Sequence, residues 1–245
     1  MLKIEKLSAA YGKKQVIFDL SAEFGKGRFT AILGRNGSGK SSLLSCIGGI
    51  KDFSGRILLG DRDISSIPSR ERAKMLSYLP QGLPVTQFTV REIVAFGREP
   101  YISFKLTEAD GKIIDRAIEK CGISHLRNKK LTEISGGERQ MAYLAMTLAQ
   151  DADILLLDEP TTYMDAPHAR KFLDILKNAQ GGGKTVAAVM HDLTQAVKYA
   201  DDILLIDEGR LIFAGSKEEC LKNKAIERVM CVESHTLDDG TVIFI

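Results

Sequence analysis

The sequence predicts an α/β fold: a parallel sheet flanked by helices, an antiparallel β layer at the N-terminus and a helical insert in the middle. Four apolar runs separated by amphipathic stretches have the pattern of buried parallel strands. They are Phe29–Leu33, Ile154–Leu157, Val186–Met190 and Ile203–Ile206. By contrast, Leu2–Ala9 and Arg56–Leu59 have the pattern of half-exposed strands around turn residues, which favours an antiparallel layer.

Two further elements follow from local patterns. Leu211–Phe213 follows the last of these runs after Asp-Glu-Gly-Arg, which predicts a hairpin. Residues 82–133 are expected to be mostly helical. Thr107 and Asp110 have capping-box spacing, and apolar positions at helical intervals lead to an end at Gly122. We therefore predict one domain, residues 1–245, with a helical insert at about 82–150.

Composition narrows the possible functions. The formal net charge of +2, from 34 basic and 32 acidic side chains, gives no reason to expect a nucleic-acid partner. The N-terminus lacks an apolar core of signal-peptide length, and no apolar run approaches the roughly 20 residues of a membrane helix. We expect a cytosolic chain unless a partner holds it at a membrane.

No two of the four cysteines have metal-site or redox-pair spacing, which predicts buried reduced thiols. They are Cys46, Cys121, Cys220 and Cys231.

A phosphate-binding loop is the most specific motif. Residues 34–41, GRNGSGKS, match G-x-x-x-x-G-K-[ST] directly after a predicted strand and before a predicted helix. Glycines let backbone N–H groups point at phosphate oxygens, and the helix N-terminus adds partial positive charge. Lys40 is expected to reach the β- and γ-phosphates, and Ser41 to coordinate Mg²⁺. The predicted nucleotide contacts here are Gly34, Arg35, Asn36, Gly37, Ser38, Gly39, Lys40, Ser41 and Ser42.

Two carboxylates follow a predicted buried strand. Asp158 and Glu159 come directly after Ile154–Leu157, where burial is costly unless a cation lies nearby. A Mg²⁺ ion at the phosphate loop would supply that charge. Asp158 would then hold a Mg²⁺-bound water, and Glu159 would polarise the attacking water. Taken alone, the pair is equally typical of an ordinary strand end.

A second glycine-rich helix start lies between these motifs. In residues 134–140, ISGGERQ, Ser135 and Glu138 have capping-box spacing before an apolar helical face. A serine-capped helix is the simplest interpretation. However, a glycine-rich helix N-terminus is also an anion site, and two such loops serve one γ-phosphate only if they come from different subunits. The predicted contacts here are Ser135, Gly136, Gly137 and Glu138.

These motifs, in this order, resemble the ATP-binding-cassette (ABC) family over nearly the whole chain. The segment ISGGERQ is similar to that family's LSGGQ signature, with Ile134 replacing leucine. The resemblance implies a P-loop NTPase core of the ABC ATPase type. It also implies that Tyr11 stacks on adenine and that Gln81 senses Mg²⁺ and the membrane partner. Residues 161–165, TTYMD, resemble the D-loop, which includes Asp165.

The resemblance further identifies His191 as the switch histidine that contacts the γ-phosphate. It implies ATP and Mg²⁺ as cofactors. The implied catalytic residues are Lys40, Glu159 and His191, and the implied metal-binding residues are Ser41, Gln81 and Asp158.

One segment indicates the kind of ABC protein. Residues 88–101 resemble the V-x-x-G-R-x-P-H segment of importers for iron–siderophore, haem and cobalamin complexes, with Tyr101 replacing histidine. Residues 69–81, SRERAKMLSYLPQ, resemble the same subfamily. The alternative is a generic helix of the insert.

The resemblance implies an assembly. Two copies of the chain would lie beneath two membrane permease subunits at the cytoplasmic face of the membrane, and an extracytoplasmic binding protein would deliver substrate. The copies would close head-to-tail over two Mg-ATP molecules, each between Lys40 of one chain and Ser135 of the other.

Three alternatives stay open. A soluble ABC ATPase of repair or translation usually carries a coiled-coil insertion or two cassettes, and this sequence has neither. Residues 97–98 argue against an exporter or lipoprotein-release ATPase, although not decisively. A small-molecule P-loop kinase would account for Lys40 and Asp158 but would leave the ISGGE segment without a role.

Overall fold

A six-stranded sheet forms the centre of the protein, in a computed structural model that describes residues 1–162 and 164–245. Its strands are β3 (Phe29–Leu33), β6 (Leu76–Leu79), β7 (Ile154–Asp158), β8 (Thr185–Val189), β9 (Asp202–Asp207) and β10 (Arg210–Ser216). They lie in the order β10-β9-β3-β8-β7-β6. Only β10 runs antiparallel to its neighbour, which confirms the predicted parallel sheet and the hairpin that ends it.

The sheet is apolar on both faces and is covered on both. All five residues of β3, β7 and β8 are buried. Leu155 and Leu157 join one core cluster, whereas Ile154 and Leu156 join the other, as the two-residue period of a strand requires. The covering helices include α1 (Lys40–Ile47), α2 (Ser69–Met75), α6 (Ala166–Gly181) and α7 (Leu193–Tyr199). Each fully buried leucine contributes about 1.5–3 kcal/mol of hydrophobic free energy.

The antiparallel layer predicted at the N-terminus is present as four strands. They are β1 (Leu2–Tyr11), β2 (Lys14–Phe24), β4 (Ser54–Leu59) and β5 (Arg62–Asp63), in the order β2-β1-β4-β5. The inner face of this layer shares a core cluster with α1. Because β1 extends two residues beyond the predicted end at Ala9, Tyr11 is its last residue.

Three helices make up the central region: α3 (Val90–Phe96), α4 (Glu108–Lys120) and α5 (Gly136–Ala149). Each begins with a capping box, including the one predicted at Thr107 and Asp110. The expectation that residues 82–133 are mostly helical was too strong, because turns and short 3₁₀ segments occupy much of that stretch. The division into one domain with an insert at 82–150 stays a prediction.

The chain ends in two short helices and a hairpin, α8 (Lys217–Lys222), α9 (Ala225–Met230), β11 (Ser234–Thr236) and β12 (Val242–Phe244). Within the described ranges, no helix combines the length and apolarity needed to cross a bilayer.

The cysteine prediction needs one correction. Cys46, Cys121 and Cys220 are buried, and burial raises their thiol pKa values to about 11, 12 and 11, respectively. Cys231 is exposed. It lies just beyond α9 in the left-handed region, with a φ of 57°, which turns the chain at the surface.

Candidate active site

The phosphate loop connects β3 to α1 and depends on two of its glycines. At Gly34 a Cβ atom would overlap the carbonyl oxygen of Ile206, and at Gly39 it would lie 2.8 Å from the carbonyl oxygen of Val16. Gly39 also has a φ of 103°, which L side chains rarely adopt. Glycine at these two positions therefore lets the loop lie against neighbouring backbone.

Lys40 lies across this loop. Its side chain is buried, and Nζ donates to the carbonyl oxygens of Gly34 and Arg35, each at 2.8 Å. Burial lowers the pKa of Lys40, while the carboxylates of Glu159 and Asp158 act in the opposite direction. The ammonium is thus held within the loop, and the two carboxylates lie close enough to raise its pKa.

The other residues of the loop differ in how far they are exposed to solvent. Arg35, Asn36 and Gly37 are exposed, whereas Ser38 and Ser42 are buried. Among the described residues, the buried Oγ of Ser38 has no hydrogen-bond partner. Since buried polar groups are normally paired, an unpaired hydroxyl inside a phosphate-binding loop fits a ligand that supplies the missing partner.

Ser41 and Asp158, two of the predicted metal-binding residues, lie together. The Ser41 hydroxyl donates to Oδ1 of Asp158 over 2.9 Å, which joins the start of α1 to the end of β7. Burial raises the pKa of Asp158, and the Ser41 hydrogen bond counteracts part of that effect. A hydroxyl and a carboxylate are hard oxygen ligands, and Mg²⁺ in nucleotide sites takes few protein ligands besides phosphates and water. These residues therefore fit Mg²⁺.

Glu159 contacts residues from two other strands. Its Oε1 lies 2.6 Å from Nε2 of His191, and its Oε2 accepts a hydrogen bond from Nε2 of Gln81 over 2.5 Å. Gln81 follows β6 and His191 follows β8, the two strands that flank β7. Ligand sites of open parallel sheets form at such carboxyl ends. Both carboxylate oxygens of the predicted base are thus engaged.

Thr162 is a neighbour of Glu159 that was not predicted. Its Oγ1 lies 3.3 Å from Oε2 of Glu159, and the only available signal was its position within residues 161–165. Tyr163, part of the same predicted D-loop, lies outside the described residues.

Asp165 caps α6 by accepting from the backbone N–H of His168 over 3.0 Å. That backbone hydrogen bond lowers the pKa of Asp165.

The predicted second anion site is the start of α5. Ser135 Oγ accepts from the backbone N–H of Glu138 over 3.3 Å, and Glu138 accepts from the backbone N–H of Ser135 over 2.7 Å. Gly137, in the first turn, leaves room beside His168. A cavity of about 330 Å³ lies between the Gln81 segment and α5. Its lining includes Glu159 and Gly136 but, within the described residues, none of the loop at 34–41.

Tyr11 lies apart from these groups at the end of β1, and it is 62% exposed. Its ring has one unforeseen contact, the ammonium of Lys51, with Nζ 2.7 Å from the ring centroid.

The segment that indicated a subtype has a structural role. A Cβ at Gly97 would overlap the carbonyl oxygen of Met146, so this glycine allows α3 to lie close to α5. Arg98 is buried and pairs with Asp110 of α4 over 2.9 Å. It also donates to the carbonyl oxygen of Ala149 at the end of α5 and stacks on the ring of Tyr101, 3.9 Å from the ring centroid. One side chain therefore joins all three helices.

Comparison with known proteins gives consistent results. The family model described as "ABC transporter" matches residues 17–162. The petrobactin import ATP-binding protein YclP of Bacillus subtilis is 35% identical over 99% of this chain and 98% of its own length. The ferric enterobactin transport ATP-binding protein FepC of Escherichia coli is 36% identical, covering 97% of this chain and 90% of that protein.

A more distant relative and two solved structures extend the comparison. The cobalamin import ATP-binding protein BtuD of Halobacterium salinarum is 33% identical over 90% of this chain and 56% of its own length. A proposed metal-chelate type ABC transporter in an inward-facing conformation superposes with a TM-score of 0.84 at 25% identity, covering 100% of this chain and 96% of the other. A dimeric cassette bound to ADP and phosphate has a TM-score of 0.81 at 23% identity, covering 89% and 99%.

Proposed function

The chain belongs to the ABC transporter family as an ATP-binding and ATP-hydrolysing subunit, and we propose that it powers the import of a metal chelate. The observation that carries this proposal is similarity to siderophore import subunits along nearly the full length of both chains. An iron–siderophore complex is the favoured substrate class, with haem and cobalamin as related candidates. The cobalamin import relative supports the wider class of metal chelates.

The site suggests how each residue acts in hydrolysis. We propose that Lys40 exchanges its two carbonyl partners for the β- and γ-phosphate oxygens of ATP, and that the free hydroxyl of Ser38 donates to the same phosphates. Ser41 and Asp158 would hold Mg²⁺ in the place of their present hydrogen bond, with Gln81 as a further ligand. When bound, Mg²⁺ neutralises phosphate charge.

The water-activating group is proposed to be Glu159. To accept a proton from the attacking water, it needs a free carboxylate oxygen, whereas His191 and Gln81 now engage both. Release of Gln81 toward the metal would leave Oε2 with only its longer contact to Thr162 and so open it to the attacking water. His191 would keep the carboxylate oriented and contact the γ-phosphate. A base positioned in this way contributes about 10²–10⁴-fold to the rate.

A dimer is proposed to complete the nucleotide site. The start of α5 has the partial positive charge of a helix N-terminus and an exposed serine, both suited to a phosphate. It borders a cavity, and in the described part of the chain no residue of the 34–41 loop lines that cavity. This supports the idea that the start of α5 binds the nucleotide of a second copy. Related cassettes have been solved as dimers.

The permease contact is proposed to lie on the central helical region, at the cytoplasmic face of the membrane. Large apolar side chains are exposed there over a short stretch of sequence, which is typical of an interaction surface. They are Val85 (55%), Phe88 (47%), Phe96 (46%), Phe104 (100%) and Leu106 (38%). Gln81 lies at the start of this stretch, so permease movement would reach the group bonded to Glu159.

An exporter is the second candidate, because the fold itself also matches an Atm1-family exporter with a TM-score of 0.82 at 25% identity. The experiment that decides is uptake of labelled chelates by cells that lack this chain. We expect loss of iron–siderophore uptake, with return on wild-type expression but not with Glu159→Gln. Normal uptake of siderophore, haem and cobalamin in the deletion strain would contradict the import proposal.

A further inference from the structure

Lys51 belongs to none of the sequence motifs, yet its ammonium lies against the ring of Tyr11. Tyr11 ends β1, and Lys51 follows α1 along the chain. Nζ of Lys51 lies 2.7 Å from the centroid of the Tyr11 ring. We propose that Lys51 is a positioning residue for nucleotide binding, whose ammonium holds one face of the Tyr11 ring so that the other face is presented to adenine. This inference rests on the proposed nucleotide site, in which Tyr11 stacks on the base.

The surroundings of the ammonium support a contact with the ring rather than an accidental approach. Nζ of Lys51 is buried and, among the described residues, has no hydrogen-bond partner. A buried ammonium is costly unless something compensates its charge. The face of an aromatic ring carries negative potential and attracts cations, more strongly when the pair is shielded from water. The Tyr11 ring therefore supplies compensation that no hydrogen bond among the described residues provides.

The backbone of Lys51 is fixed to the same helix that carries the phosphate lysine. The N–H groups of Ile50 and Lys51 donate to the carbonyl oxygen of Ser45 over 2.9 and 3.2 Å. Ser45 belongs to α1, which begins at Lys40. One helix thus holds the phosphate-binding ammonium at its start and the ring-binding ammonium just beyond its end, so that the positions of phosphate and base are set by a common rigid element.

The ring remains available to a ligand. Tyr11 is 62% exposed even with Lys51 against its ring. Bases of any identity stack on an open aromatic face. Without Lys51, the ring at the end of β1 would be free to rotate, and ordering it would then reduce the affinity for the base.

The test is Lys51→Met, which keeps the length of the side chain and removes its charge. With purified full-length protein and Mg²⁺, calorimetry gives the Kd for ATP and for inorganic tripolyphosphate, which lacks a base. We expect the Kd for ATP to rise roughly 3- to 30-fold, the range of a cation–π contact. The Kd for tripolyphosphate should not change. Lys51→Arg should restore most of the ATP affinity, since guanidinium also stacks on aromatic rings.

Two comparisons separate positioning from general effects. Lys14→Met removes the same charge from an exposed lysine paired with Tyr11 across β1 and β2, and it should leave the Kd for ATP unchanged. In a Tyr11→Ala background, Lys51→Met should have no further effect, because the two residues act as one unit. In steady-state hydrolysis by the single variant Lys51→Met, the KM for ATP should rise while kcat stays constant.

Several results would overturn the inference. These are an unchanged or lower Kd for ATP in Lys51→Met, an equal loss of tripolyphosphate binding, or a loss that persists without Tyr11. A wild-type chain that binds neither ATP nor tripolyphosphate would overturn the proposed function and this inference together. ATP binding that is insensitive to Lys51 would overturn the inference alone.

Discussion

Glu159 is the residue on which hydrolysis is expected to depend most strongly. It stands directly after β7 with a φ of 50°, in the left-handed region that a residue with a long side chain rarely adopts. That backbone turn places the carboxylate between Gln81 and His191. An uncommon conformation held by its surroundings is typical of functional positions.

The first prediction concerns this carboxylate. Glu159→Gln keeps the shape of the side chain and removes the base, so ATP turnover should fall by roughly 10²–10⁴-fold while ATP binding persists. Phosphate release and nucleotide binding, measured on the same preparation, check both parts. Glu119→Gln, an exposed position on α4, is the control and should retain turnover. Near-normal turnover in Glu159→Gln would remove the assignment.

At the scale of elements, the joint of α3, α4 and α5 holds these three helices together through one buried ion pair. Arg98 and Asp110 are only 7% and 10% exposed, so each depends on the other for compensation of its charge. Asp110 also caps α4 by accepting from Thr107. Removing one partner of such a pair leaves a buried charge without compensation.

The second prediction follows from that burial. Asp110→Ala should lower the free energy of unfolding by about 3–5 kcal/mol. Asp115→Ala, on the same helix, breaks two ion pairs, with Arg91 and Arg127. All three side chains are 38–46% exposed, so the loss should be about 1 kcal/mol or less. Urea denaturation of both variants gives the comparison. Equal losses would mean that burial of the pair contributes nothing.

The third prediction concerns pH. Hydrogen bonds from the side chain and backbone of Thr107, followed by the hydrogen bond from Arg98, lower the pKa of Asp110 to about 2. Because the folded pKa lies below the unfolded value of about 3.9, the stabilisation is present above about pH 4 and is lost as the pH falls toward 2. The difference in unfolding free energy between wild type and Asp110→Asn should therefore stay constant from about pH 8 to 5 and shrink below about pH 4. A difference that grows on acidification would contradict this sign.

The sequence patterns predicted some elements well for physical reasons. Runs such as Ile154–Leu157 are apolar on both faces, so burial alone identifies them. By contrast, β6 was missed because its four residues, Leu76–Leu79, include a serine and a tyrosine. In β1 and β2, irregular register between Ile4 and Ala10 disrupts the alternation that would have marked the hairpin.

Contacts between distant segments could not be predicted from spacing. Gln81, Glu159 and His191 meet because β6, β7 and β8 are neighbours, and strand order is a property of the fold. Likewise, no local pattern joins Lys51 to Tyr11 or shows that Cys231 lies 2.7 Å from Arg35. The family resemblance assigned roles to several of these residues, and those roles stay predictions.

At the scale of the whole molecule, the main question is whether the two helix starts that are proposed to bind phosphate serve one nucleotide or two. Lys40 begins α1 and Ser135 caps α5, and each has the backbone geometry of an anion site. In the proposed head-to-tail dimer, each nucleotide lies between Lys40 of one copy and Ser135 of the other.

The fourth prediction tests that arrangement by mixing variants. In a dimer of one Lys40→Ala chain and one Ser135→Arg chain, one site carries both defects and the other carries none. We therefore expect ATP-dependent dimers with one ATP per mixed dimer, measured by gel filtration with labelled nucleotide. Neither variant should form such dimers alone. If wild type forms them and the mixture retains none, both loops serve one nucleotide within a chain.

The exposure of Phe104 has a consequence for how the protein is made. This side chain is 100% exposed, and on the proposed assembly a permease covers it. Copies synthesised in excess of that permease would keep their apolar surface in water, where crowded proteins associate without specificity. Balanced synthesis of the two kinds of subunit is then a condition for solubility, and overproduction of this chain alone should favour precipitation.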